Sequence, residues 1–182
     1  MSESLKLDNS RNKKVAIWLF VTAFFVFLMV FIGGLTRLTG SGLSMTDWHP
    51  VHGVIPPLNQ EQWMEEFNQY RQSPEYQKIN YGMELAEFKV IFFWEYLHRM
   101  LGRLTGLVFA VPLLFFVVSG YVQRAESLKY FILFVLGGLQ GLVGWWMVQS
   151  GLVDRPSVSH FRLATHLSLA LILFAALLWV AF

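Results

Sequence analysis

The 182-residue chain is predicted to be an all-α integral membrane protein, a four-transmembrane-helix bundle with a long extracytoplasmic first loop. Three observations support that class. Hydrophobic residues make up 55% of the chain and aromatic ones 16%, with a mean hydropathy of +0.47, above the usual range of soluble domains. Four apolar stretches approach the ~20 residues that a helix needs to cross a bilayer. Basic residues gather at the ends that the positive-inside rule assigns to the cytoplasm. The formal net charge of +2 is too small to argue for nucleic acid, and the absence of cysteine excludes disulfides, thiolate zinc sites and iron–sulfur ligation.

Residues 1–14, MSESLKLDNSRNKK, are acidic in part and carry no small-residue cleavage site, so they read as a cytoplasmic tail. Residues 15–182 would form one membrane domain with spans at about 15–38, 88–121, 130–148 and 160–182. The first contains an uninterrupted apolar run over 15–32, and the last follows Arg155-Pro156, with a helix start expected near Ser157. Lys6, Arg11, Lys13 and Lys14 precede the first span, and Arg124 and Lys129 lie between the second and third. Both segments should therefore be cytoplasmic, in a multi-pass membrane protein. The outer loop, about 40–87, is acidic through Glu61, Glu65, Glu66, Glu75, Glu84 and Glu87. It opens with the Gly/Ser/Pro-punctuated TGSGLSMTDWHPVHGVIPPL. In NQEQWMEEFNQYRQSPEY, Trp63, Phe67 and Tyr70 share one helical face. A short helix near the membrane surface follows, either packed on the bundle or gating a substrate. The chain stops at Phe182 inside an apolar stretch, as a complete four-helix unit or as half of something larger.

The stretch FFWEYLHRMLGRLTG places Glu95, His98, Arg99 and Arg103 at membrane depth, where ionisable groups are costly and need a reason. The second and fourth spans both enter from outside. His98 lies about two turns into one and His166 about two turns past Ser157 in the other, so the imidazoles reach similar depth. One haem iron ligated from both faces needs that arrangement. Gly102 and Gly106, four and eight residues after His98, leave its face without bulk, as Ala170 does after His166. Arg37, Arg99, Arg103 and Arg162 would form a positive rim for haem propionates, although arginines near helix ends also simply snorkel. Two histidines without cysteine make a poor tetrahedral zinc set. Glu95 shares a face with His98. It is read either as a catalytic carboxylate at the haem edge or as a structural partner of Arg99. His49 and His52 in the loop are expected to be solvated and His160 to point to the interface. Gly137, Gly141 and Gly144 read as a close-packing stripe.

Four stretches together carry a resemblance: GGLTRLTGSGLSMTDWHPVHGVIPPL, EFKVIFFWEYLHRMLGRLTGL, LGGLQGLVGWWMVQSGL and VSHFRLATHLSLAL. They resemble the N-terminal half of haem A synthases of the proteobacterial and mitochondrial type. The resemblance implies oxidation of a ring methyl of haem O to the formyl group of haem A, with Glu95 catalytic and His98 and His166 as axial ligands of the substrate haem. It implies supply by a haem O synthase and delivery to terminal oxidase assembly. Haem B would be held by a second, pseudo-symmetric half, either missing here or provided by a homo-oligomer. Some relatives carry a cysteine pair in the first outer loop, which this chain lacks. The alternatives are a bis-histidine b-type cytochrome that relays electrons, and a structural or assembly subunit.

Overall fold

The computed structural model describes residues 3–46, 52–123, 125–153 and 155–182. Six α-helices follow one another: α1 Glu3–Leu38, α2 Gln60–Tyr70, α3 Pro74–Lys78, α4 Leu85–Val118, α5 Ser127–Leu152 and α6 His160–Ala181. A short 3-10 turn lies at His52–Val54, and no strand occurs among the described residues. Four helices are long and apolar enough to cross a membrane: α4, α5, α6 and α1 from Ser10. Helix starts at Glu3 and runs through to Leu38, since ESLKLDNSRNKK holds no Gly or Pro to stop it.

α1 packs against α4 on one side and α6 on the other, and α5 packs on α6. α1 and α4 run antiparallel, with Trp18 meeting Phe109 at one end and Thr36 reaching the Trp94 carbonyl at the other. α5 and α6 are antiparallel too, from Arg162 on the Trp146 carbonyl to Ser150 accepting from the Ser159 N–H. α4 and α6 therefore point the same way.

α4 starts with a reciprocal cap: Glu84 caps the helix while its own N–H donates to Glu87 Oε2 at 2.9 Å. It continues through Pro112. Proline has no N–H, so the Val108 carbonyl loses its helical donor. Trp18 Nε1 of α1 donates to that oxygen at 2.9 Å instead. An unpaired carbonyl in an apolar bundle would cost a few kcal/mol, so this indole makes the proline tolerable.

Two cores result. At the end where α1 enters and α4 turns into α5, Trp18, Leu19, Phe109, Phe116, Tyr130 and Leu177 belong to one buried cluster. At the loop end, Phe67 and Tyr70 of α2, Tyr76 of α3 and Phe88, Ile91 and Phe92 of α4 belong to a second, with Met45. α2 thus packs on the bundle through the face predicted from its sequence. The connection after α1 is pressed against α5 at Gly151, where an added Cβ would meet Leu43 Cδ1 at 2.7 Å.

Candidate functional site

Between the two cores lies a layer of different character. α4 buries no residue fully between Glu95 and Phe109, α5 none between Leu133 and Gly151, and α6 none before Ala170. On α4 this covers about 20 Å of helix at 1.5 Å per residue. His98 and His166 sit in that layer. The Nδ1 atom of each is buried with no hydrogen-bond partner.

Each imidazole rests against a glycine on the neighbouring antiparallel helix. A Cβ built on Gly33 of α1 would lie 3.0 Å from His98 Cε1, and one on Gly144 of α5 would lie 2.8 Å from His166 Cε1. The second distance is shorter than real Cβ contacts and the first is at the tight end of them, so a side chain at either glycine would press on the ring. Gln140, one turn before Gly144, reaches the His166 carbonyl at 3.1 Å and His166 Nε2 at 3.4 Å. Sequence reasoning passed over Gly33 and Gln140 and read Gly144 only as packing, although all three lie within the quoted motifs GGLTRL and LQGLVG.

The other expected small residues divide. The missing side chain of Gly102 faces Met29, whose Cε would be 3.4 Å away, so Gly102 serves the approach of α1 to α4. Gly106, Gly137 and Gly141 face nothing within 4 Å. The close-packing reading of the α5 stripe therefore holds for Gly144 alone, and Gly106 keeps the bare face expected of it.

Glu95 is held more completely than its sequence context suggested. Its side chain is buried and accepts at both oxygens. Arg99 donates to Oε1 through Nε at 3.0 Å and an Nη at 2.6 Å. Ser44 Oγ and the Met45 N–H each donate to Oε2 at 2.8 Å. Arg99 also donates to the Met45 carbonyl at 2.9 Å. The pair consequently fastens the GSGLSM turn onto α4. Four donor atoms, two of them on the Arg99 guanidinium, thus hold the carboxylate.

The four arginines of the expected rim make different contacts. Arg99 pairs with Glu95, and Arg103 donates to the Arg99 carbonyl at 3.2 Å. Arg162 donates to the Trp146 carbonyl at 2.8 Å and lies 4.4 Å above the Trp146 ring. Arg37 is exposed at the loop end of α1. His160 is exposed at the start of α6, as expected. His49 lies outside the described residues, and His52 is described only as the start of the 3-10 turn.

Among the described residues no group of three or more His, Cys, Asp or Glu could hold a metal ion, which disfavours a metal bound by side chains alone. A haem iron needs only axial ligands from the protein. Two imidazoles in that layer, each set by a glycine on the neighbouring helix, fit that demand.

Fold and site define a class: a four-helix membrane bundle in which two parallel helices each bring one histidine into a shared interior layer. The chain belongs to the cytochrome oxidase assembly protein family, whose sequence profile matches residues 16–182. It is 54% identical over 178 residues to the heme A synthase of Parvibaculum lavamentivorans, covering 98% of this chain and 52% of that protein. The heme A synthase of Rhodospirillum centenum is 57% identical over 169 residues, covering 93% of this chain and 45% of that protein. That of Nitrosospira multiformis is 54% identical over 170 residues, 93% of this chain and 48% of the relative. The chain thus spans about half the length of the curated relatives it matches. No solved structure matches it.

Proposed function

We propose that this chain forms the substrate-binding half of a haem A synthase, an oxidoreductase that converts a ring methyl of haem O into the formyl group of haem A. The observation that supports this most is the His98–His166 pair, each ring set by a glycine in a layer the helices leave without a core. In this reading His98 and His166 hold the iron of the substrate haem, which places its ring edge along α4. The methyl would pass through successive hydroxylations, each a two-electron oxidation by an oxidant from outside this chain, and the hydrated carbon would then lose water to leave the formyl group.

Glu95 supplies a fixed negative charge one turn from His98. Its four hydrogen bonds hold the carboxylate in one place, so the role that suits it is stabilising positive charge that develops at the ring substituent, more than shuttling a proton. Arg37, Arg103 and Arg162 are the propionate candidates, with Arg99 acting through Glu95. Haem B belongs to a second four-helix half, in the same polypeptide or in a partner copy. Haem O synthase supplies the substrate, and terminal oxidase assembly receives the product. The protein spans the bacterial inner membrane with its N-terminus in the cytoplasm, by the distribution of Lys and Arg.

One observation favours a second reading. Glu95 is tied at every acceptor direction to Arg99, Ser44 and Met45, as a purely structural carboxylate in a b-type cytochrome would be. Producing the protein together with a haem O synthase, then extracting and chromatographing its pigment, separates the readings. Haem O or haem A in the purified protein supports the synthase. Haem B alone supports the electron relay, and no haem supports a structural subunit.

A further inference from the structure

We propose that Gln140 is a positioning residue for His166, holding its imidazole in the Nδ1–H tautomer so that the Nε2 lone pair is ready for a metal. The purpose of this device rests on the haem reading above, but the tautomer itself can be read without haem.

The argument starts from one atom whose role has no ambiguity. The His166 carbonyl oxygen can only accept a hydrogen bond. The Gln140 side-chain amide places a heavy atom 3.1 Å from it. That atom must be the NH2 nitrogen, because turning the amide over would set two acceptors against each other. The same nitrogen lies 3.4 Å from His166 Nε2. An NH2 group can only donate, so Nε2 must be the bare nitrogen of the ring. A neutral imidazole carries one N–H, which then resides on Nδ1. A bare nitrogen is what a metal requires.

Two further features fit. Gly144 stands against Cε1 of the same ring, limiting how the imidazole can move toward α5. The amide's grip on Nε2 is long and weak, whereas its bond to the backbone carbonyl is of ordinary length. Iron can therefore displace the first contact while the second keeps Gln140 in place. The Oε1 atom of Gln140 and the His166 Nδ1 that carries the ring proton are both buried without a partner, a cost that this arrangement of amide and ring carries.

The test uses the full chain in lipid bilayers, without haem, carrying ring-15N histidine. Solid-state NMR distinguishes protonated from bare ring nitrogens, and the His166 signals are those missing from His166→Ala. The expected result is a bare Nε2 and protonated Nδ1 for His166. In Gln140→Leu the tautomer ratio should shift toward Nε2–H by roughly threefold to tenfold, the worth of one neutral hydrogen bond. Gly141→Ala, which faces nothing within 4 Å, should leave it unchanged. A protonated Nε2 in the parent overturns the proposal even if no variant folds, and so does a parent-like ratio in folded Gln140→Leu. Titrating the same samples with haem O reads the metal site separately. Failure to bind it would count against the haem reading and leave the tautomer result standing.

Discussion

At Gly33 and Gly144 one added methyl group tests the position of each imidazole. Alanine normally favours a helix over glycine by about 1 kcal/mol, so a loss of haem in these variants cannot be ascribed to weaker helices. Gly33→Ala and Gly144→Ala should each lower retained haem several-fold and broaden its absorption bands. Gly34→Ala, with nothing within 4 Å, should behave as the parent in the same spectra. At Glu95 the glutamine substitution is less conservative than it looks from sequence. An amide can satisfy Ser44 and Met45 or face Arg99, but its NH2 must then oppose a donor on one side. Glu95→Gln should retain bis-histidine haem and stall haem A formation, followed by chromatography of haem O, the hydroxylated species and haem A. Normal haem A formation would reduce Glu95 to an anchor for Arg99. His98, His166 and Glu95 were legible in the sequence because polar groups at membrane depth need a purpose. Gly33 and Gln140 were not, because their role is a distance between two helices, which no spacing along one helix reveals.

Among the elements, α4 depends on α1 for its proline. Trp18→Phe keeps most of the ring contacts but leaves the Val108 carbonyl without a donor, at a cost of about 1–3 kcal/mol. Pro112→Ala restores a backbone N–H to that carbonyl, so the double variant should recover most of the loss in thermal unfolding. No recovery would mean that the indole acts through packing alone. The loop elements give a pH prediction. In α3, burial pushes the Glu75 carboxyl up from an ordinary 4.5 to about 7, against the hydrogen bond it accepts from Tyr70, with the charge of Glu95 adding to the rise. Asn80 faces the same group through the Tyr70 hydroxyl at 2.7 Å. The folded loop therefore binds the Glu75 proton more tightly than the unfolded one. That stabilisation is complete below about pH 4.5 and lost as pH rises through about 7, amounting to at most about 3 kcal/mol. Protection factors at α2 and α3, with the intrinsic rise of amide exchange with pH divided out, should fall between pH 5 and 8 in the parent and change little in Glu75→Gln. The surface helix was visible in advance from Trp63, Phe67 and Tyr70, whereas the Glu75 cluster was not. Its members touch only once α2 and α3 fold over α4.

Across the whole molecule, the four spans could be read from hydropathy, and the start of α1 could not, since charged residues that form helices well look like a tail. What hydropathy also could not show is that the apolar packing falls into two separate clusters with a histidine layer between them. Leucine and phenylalanine are equally apolar whether they face a neighbouring helix or lipid. That layer is where the central claim stands: His98 and His166 together ligate one haem. The direct measurement is the optical spectrum of the purified chain produced with haem O, compared with His98→Ala and His166→Ala. The account predicts a low-spin Soret and α-band spectrum in the parent, lost in each single variant, because ligands about 2 Å from iron cannot be replaced by helix slippage. A parent-like low-spin spectrum in both variants would contradict it.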